Sequence, residues 1–415
     1  MVKRALLIAF HFPPMAASSG LQRTLKFAQY LPELGWQCAV LTTHKRAYVR
    51  TDAGQMADIR GDVTVRRAFA LDTSRHLRVA GRYPRLLALP DRWVSWLLGA
   101  LPAGLAMIRK HRPDVIWSTY PIATAHLAGL LLSRLSGVPL VADFRDSMTE
   151  PGYPTDPLQR RVYTAIESRV VRHAVRAVFT TPGARHMYQQ RYPELAAQRL
   201  CIIENAFDEE NFRGAQALPA APPAARPFTM AHSGAIYPLE RDPGPLFRAL
   251  GRLKRERRID AAGFRLLLRA SGHDHLYAPI LAEQGIEDLV ELVPPLPYAQ
   301  ALREMLDADA LLLMQAANCN HQIPAKLYEY VRAGRPVLSL TDPAGDTAAT
   351  LIRCGLRPVV ALDDEDAIAR ELPAFIEGVR AGAITGASAD AAANNTRKAR
   401  AVELAALLDE VVDSP

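Results

Sequence analysis

Apolar residues along the chain fall into two alternating patterns, short continuous runs and longer stretches with helical spacing. The runs RALLIAF (4–10), QCAVLTT (37–43), DVIWST (114–119) and PLVADF (139–144) have the length and density of strands buried on both faces. Between them, SGLQRTLKFAQYLPELG (19–35) places Leu21, Leu25, Ala28 and Leu31 on one helical face and stops at Gly35; TAHLAGLLLSRLSG (124–137) is also helical. RAVFTT (176–181) and RLCIIEN (199–205) continue the series. Strands separated by helices predict parallel βαβ units.

Residues 212–228, FRGAQALPAAPPAARPF, break the rhythm. They are rich in Ala and Pro and carry no apolar period, which is a linker composition. The alternation then restarts. FTMAHSG (228–234), FRLLLRASG (264–272), VELVPP (290–295), ADALLLM (308–314), PVLSL (336–340) and PVVAL (358–362) read as strands. DPGPLFRALGRLKRE (242–256) reads as a helix with Asp242 as N-cap and Pro243 at its first position. The tail TRKARAVELAALLDEVV (396–412) is amphipathic and helical. The expected fold class is α/β, with two Rossmann-like doubly wound domains facing each other across a cleft. The expected boundaries are a first domain at 1–205, a linker at 206–227, a second domain at 228–390, and a final helical segment at 391–415. Open α/β sheets bind ligands at the carboxyl ends of their strands, so two such domains place a site between them.

A length of 415 residues agrees with two cores. The net charge of +7 hides an asymmetry: residues 1–205 hold 28 Lys and Arg against 14 Asp and Glu, and residues 206–415 hold 22 against 29. The basic half favours an anionic partner: a membrane surface, a phosphorylated substrate or nucleic acid. No nucleic-acid motif and no basic stretch regularly interleaved with aromatics is present, so nucleic acid is not expected. Cys38, Cys201, Cys319 and Cys354 are scattered, which argues against a disulfide framework or a zinc site and for a reducing cytosol. The apolar run after Met1 is too short for a signal-peptide core. WVSWLLGALPAGLAMI (93–108) is short for a membrane span and contains Pro102. A cytoplasmic protein without a transmembrane helix is expected.

Four stretches carry candidate chemistry. In IPAKLYEYVRAGRPVLSL (323–340), Pro324 can start a helix on which Lys326, Glu329 and Tyr330 share one face; Gly334 stops it before a buried strand. A helix N-terminus with a lysine beside it suits a diphosphate, and a glutamate one turn deeper can accept from a cis-diol such as ribose. The same spacing also suits a surface helix with a local ion pair. In HSGAIYPLERDP (232–243), Gly234 ends a strand and Arg241 sits at the start of the next helix, where a guanidinium can fork onto phosphate oxygens or lie solvated. In AFHFPPMAASSGLQR (9–23), Ser18, Ser19 and Gly20 offer a cap and a close approach; the stretch is not GxGxxG. In ADFRDSM (142–148), Asp143, Arg145 and Asp146 cluster past a buried strand, where they can bind sugar hydroxyls, take a proton from an acceptor, or form a salt-bridged loop. His273 and His275 in GHDHLY lack a third ligand nearby, so no metal is expected.

Taken in order, these pieces resemble retaining GT-B glycosyltransferases of family 4 type, of the kind that build bacterial surface polysaccharides. FPP…SSGLQR…LPELGW, VPLVADFRD, IIENAFDEENF (202–212), HSGAIYPLERDP and IPAKLYEYVRAGRPVL follow the family's order along nearly the whole chain. The resemblance implies a nucleotide-sugar donor, held at the ribose by Glu329 and at the diphosphate by Arg241, Lys326 and Gly20, with Gly234 at the start of the donor domain. It implies catalytic polar groups at Asp143, Arg145 and Asp146. The family's usual first glutamate falls eight residues before Glu329, where this chain has His321, and Ala235 stands where an arginine often follows the donor-domain glycine. No cofactor beyond the nucleotide sugar is implied.

The acceptor is open. Residues 75–112 mix arginines with Trp93, Trp96 and leucines, which suits an interfacial helix on an anionic bilayer as well as a core helix with a basic outer face. A lipid-linked glycan at the inner face of the cytoplasmic membrane is the acceptor this composition suggests. An epimerase acting on a nucleotide sugar and a non-catalytic nucleotide-sugar-binding protein remain rival classes on the same fold.

Overall fold

The computed structural model describes residues 2–16, 19–216 and 226–413. The chain forms two compact units, one built from residues 1–204 with 397–415 and the other from residues 205–396.

The first domain runs β1 (Lys3–Ile8), α1 (Ser19–Tyr30), β2 (Trp36–Thr43), β3 (Thr64–Ala68), α2 (Thr73–His76), α3 (Leu97–His111), β4 (Val115–Thr119), α4 (Ala123–Ser136), β5 (Leu140–Phe144), α5 (Pro157–His173), β6 (Arg176–Phe179), α6 (Pro182–Arg191) and β7 (Leu200–Ile202). Its seven strands are parallel in the order β3-β2-β1-β4-β5-β6-β7. Leu6 pairs with Ala39 on one side and Ile116 on the other, so β1 is central. Side chains alternate across the sheet: Leu6 and Ile8 enter one core with Ile116, Trp96 and Leu130, while Ala5 and Leu7 enter another with Leu21, Leu25 and Trp117. Both faces are covered, which explains the continuous apolar runs. Gly35, at φ +88°, turns the chain from the one-turn helix after α1 into β2.

The second domain runs α7 (Glu209–Gln216), β8 (Phe228–Ser233), α8 (Gly244–Arg255), β9 (Phe264–Arg269), α9 (Asp274–Gln284), β10 (Val290–Val293), α10 (Tyr298–Asp307), β11 (Ala310–Gln315), α11 (Lys326–Ala333), β12 (Val337–Thr341), α12 (Asp346–Arg353), β13 (Val359–Val360), α13 (Glu365–Arg380) and α14 (Ala389–Ala393). Six parallel strands take the order β10-β9-β8-β11-β12-β13. Met230, Leu266, Leu268 and Leu312 fill one face; Ala231, Leu267, Leu311 and Leu313 fill the other. After the second domain, α15 (Arg397–Asp413) lays Ala401, Leu404 and Leu408 into the first-domain core beside Leu21, Leu25 and Ala28.

The structure refines the sequence reading at three points. The stretch read as linker from residue 206 holds α7, whose Phe212 is buried edge-on against Phe207 at 5.8 Å. Two aromatics at that spacing bury enough apolar area to order a helix. Of the two readings left open within 75–112, α3 takes the core one: Trp96, Ala100 and Met107 are buried, and Trp93 packs on Phe10 at 4.6 Å with Arg92 over its ring. Edge strand β3 follows β2 without an apolar run to mark it, because Arg66 and Arg67 interrupt the run. Among the described residues, no helix is long and apolar enough to cross a membrane.

Candidate functional site

Each sheet reverses its strand order at one point, between β1 and β4 in the first domain and between β8 and β11 in the second. Parallel sheets bind ligands outside the carboxyl ends of the strands at such a point. The donor-side candidates Gly234, Arg241, His321, Lys326 and Glu329 all fall in segments that follow β8 or β11.

β8 ends at Ser233, and Gly234 takes φ +102°. A Cβ at Gly234 would stand 3.4 Å from Lys326 Nζ, so the glycine keeps both a left-handed turn and a tight approach. Lys326 is the first residue of α11, in a turn that opens with the Leu327 N–H donating to the Pro324 carbonyl at 2.9 Å. Lys326 Nζ lies 2.8 Å from His232 Nε2. His232 Nδ1 lies 2.9 Å from the Leu312 carbonyl, which can only accept, so Nδ1 carries the proton and Nε2 offers its lone pair to the ammonium. Burial, then the Lys326 charge, hold the His232 pKa well below its ordinary value. Burial, then Arg241, lower the Lys326 pKa well below the usual lysine range, while Glu329 pulls it back up.

Arg241 donates from Nη1 to the Ala235 carbonyl at 2.8 Å and stacks over Tyr237, and its Nε is buried with no hydrogen-bond partner among the described residues. Glu329 Oε1 accepts from Tyr298 Oη at 2.7 Å. Tyr330 Oη accepts from the Ser233 N–H at 3.2 Å and so ties α11 to the end of β8. The loop from β11 to α11 is pinned as well. Gln315 Nε2 donates to the carbonyls of Cys319 and Gln322, both at 2.9 Å, and Asn320 Nδ2 donates to Asp342 at 2.6 Å. His321 sits half-buried in this loop. Two basic side chains, a neutral imidazole and a carboxylate therefore gather on a preorganised framework.

In the first domain, Asp143 is fully buried at the end of β5. Its Oδ1 accepts from Arg23 Nη2 at 2.7 Å; its Oδ2 accepts from Arg23 Nε at 3.0 Å and from Thr119 Oγ1 at 2.8 Å. Both oxygens are committed, so Asp143 ties α1, β4 and β5 together. Asp143, expected as a catalytic group, is buried here and positions Arg23. Arg145 and Asp146 follow it into the loop. The Thr180 hydroxyl holds the Arg145 carbonyl at 2.8 Å, while Arg145 Nε and Nη1 are buried without a hydrogen-bond partner among the described residues. Asp146 is exposed. Gly20 is buried in the first turn of α1; Ser18 and the side chain of Ser19 lie outside the described residues.

His232, Tyr298 and Arg23 were not singled out from the sequence. Their partners lie 94, 31 and 120 residues away, so no local spacing marks them. Among the described residues, no group of three or more His, Cys, Asp and Glu is placed to hold a metal ion.

Residues 20–206 match a family model described as a glycosyl transferase 4-like domain. No curated protein matches the chain significantly. Among solved structures, sucrose-phosphate synthase from Thermosynechococcus elongatus is similar at 14% identity, with 100% of each chain covered and a TM-score of 0.65. Anabaena HepE, in complex with UDP and glucose, is similar at 13% identity over 98% of this chain and 100% of its own, with a TM-score of 0.61. A Listeria monocytogenes protein assigned as a UDP-N-acetylglucosamine 2-epimerase is similar at 12% identity over 100% and 97%, with a TM-score of 0.60. These likenesses establish the fold, two Rossmann-like domains on parallel sheets.

Proposed function

We propose, for a chain whose residues 20–206 match a glycosyl transferase 4-like domain, that it moves a sugar from a nucleotide-sugar donor to an acceptor hydroxyl. The observation that carries this reading is the pairing of Lys326 and Arg241 at the switch point of the second sheet, with Arg241 Nε buried and unpartnered. Buried polar groups of native proteins have partners, and a diphosphate oxygen is the partner this geometry suits.

As the glycosidic bond to the donor breaks, negative charge grows on the leaving diphosphate. Lys326 and Arg241 stabilise that charge more than they stabilise the bound ground state. Binding the diphosphate also restores the lysine's preference for its charged form, which burial opposes in the free protein. His232 holds the ammonium in place through a lone pair that stays free because burial keeps the ring neutral. Glu329 accepts from the ribose diol, with Tyr298 fixing one oxygen. Arg145 and Asp146 face the acceptor. Retention at the anomeric carbon and a place in surface-polysaccharide synthesis follow from the family resemblance. HepE, seen with UDP and glucose, supports a nucleotide sugar as the donor class.

The test is a thermal-shift titration with nucleoside diphosphates and nucleotide sugars on the wild type and on Glu329→Ala. One base series should stabilise the protein. The mutant should bind it roughly 10- to 100-fold more weakly, as expected for a lost charge-assisted hydrogen-bond pair. No stabilisation by any member overturns the reading. Conversion of a nucleotide sugar to its epimer with no acceptor present would instead favour the epimerase class represented by the Listeria neighbour.

A further inference from the structure

α2 and the chain that leads from it toward α3 form a basic surface segment. From Thr73 to Pro90 it holds four arginines, at 75, 78, 82 and 85, and no acidic residue. Its tip also exposes aliphatic side chains: Val79 is 77% and Leu86 74% exposed, with Tyr83 and Leu87 exposed beside them. The tip has a defined shape. Val79 and Arg82 exchange backbone hydrogen bonds at 2.8 and 2.9 Å, and the Thr73 hydroxyl donates to the Leu87 carbonyl at 2.7 Å. Aliphatic groups held outward on an ordered tip remain in water unless something covers them. Single exposed leucines are ordinary; a cluster beside two arginines that make no ion pair among the described residues is not.

We propose that residues 78–87 form a docking surface for an anionic lipid bilayer. Arg78 and Arg82 make no ion pair among the described residues, which leaves both charges for headgroup phosphates. Val79, Leu86 and Leu87 enter the upper acyl region, and Tyr83 sits at the boundary. Nucleic acid would satisfy the arginines and leave the aliphatic residues in water, so the combination selects a bilayer.

The surface continues toward the acceptor loop. Arg85 pairs with Asp156, the N-cap of α5, and Gln159 Nε2 donates to the Pro90 carbonyl at 3.2 Å. Next to these contacts, Tyr153, Leu158 and Arg161 are also exposed. Tyr153 closes the loop that begins with Arg145 and Asp146, through its pairing with Glu150. Resting on the glycosyltransferase reading, this continuity places the acceptor hydroxyl on a molecule anchored in that bilayer.

The experiment is flotation of the full chain with phosphatidylcholine vesicles, with and without about 30% phosphatidylglycerol, near physiological salt. Wild type should float with the anionic vesicles and stay behind with the neutral ones. Arg78→Gln/Arg82→Gln should lower partitioning about 25-fold, a factor of about five for each arginine. Val79→Ser/Leu86→Ser should lower it about tenfold. Melting temperatures and nucleotide-induced shifts of both variants should match wild type, which separates failure here from failure of the donor-site reading. Absence of wild-type flotation with anionic vesicles overturns the proposal. So does an aliphatic variant that floats like wild type, because the surface would then be a polyanion site; equal retention on random-sequence DNA would identify it as one.

Discussion

His126 stands in the first-domain core with Nδ1 2.8 Å from Ser118 Oγ, its ring stacked on Tyr120, and Nε2 buried without a partner among the described residues. Burial pushes its pKa down to about 4, with Asp143 opposing. An unfolded histidine takes its proton near 6.5. Above that pH neither state binds the proton and the group adds nothing to the pH dependence. As pH falls below 6.5 the unfolded state binds more protons, so stability falls, until the folded state protonates near pH 4. Urea unfolding at pH 5 should show a loss of about 2 kcal/mol from this group relative to pH 7. His126→Phe should remove that part of the slope, and equal slopes in the two proteins would reject the assignment. At this scale the sequence was legible where partners are local: Lys326 and Glu329 share a helix face and were found by spacing. His232 lies 94 residues before Lys326, so no local spacing gives it a role. Asp143 was found as a carboxylate past a strand, but its commitment to Arg23 and Thr119 depends on three elements meeting.

Glu167, on α5, is buried at the centre of a clamp between elements. It accepts from Thr149 Oγ1 at 3.0 Å, Tyr188 Oη at 2.8 Å, Tyr192 Oη at 2.8 Å and Arg191 Nη1 at 2.6 Å. Tyr188 Oη in turn accepts from the Met148 N–H at 3.1 Å, so α5 and α6 fix the loop that carries Arg145 and Asp146. Glu167→Ala leaves a cation and three hydroxyls without this acceptor and should cost about 3–5 kcal/mol in urea unfolding. A loss below about 1 kcal/mol would mean the clamp is filled by water at little cost. The strands and the helices α1, α4, α8 and α11 were legible, since dense apolar runs and one-sided stripes announce them. β3 was not, because Arg66 and Arg67 interrupt its run, one on each face. The 93–108 stretch shows the reverse failure. Tryptophans beside arginines suit an interface and a core equally by composition, and only the packing of Trp96 chooses between them.

At the scale of the molecule, the last helix belongs to the first domain although it follows the second in sequence. Leu404, Leu407 and Leu408 of α15 are buried in that core, each contributing about 2 kcal/mol. Removing residues 397–413 should therefore loosen the first domain selectively. Amide hydrogen exchange should speed up in β1 and β4 and stay unchanged in β8 and β11. Equal acceleration in both sheets would contradict the division of the chain.

The sequence by itself determined the parallel α/β class, the restart of the pattern after the linker composition, and the residues of the donor-side motif. Each depends on periodicity or on spacing within one element, which survives reading in one dimension. Tertiary structure decided which polar groups are committed and which are open. Whether Asp143 is sealed by Arg23, whether His232 offers a lone pair to Lys326, and whether arginines stand beside exposed or buried apolar residues all depend on contacts between distant segments. A buried charge is governed by whatever surrounds it, and those surroundings exist only once the chain has folded.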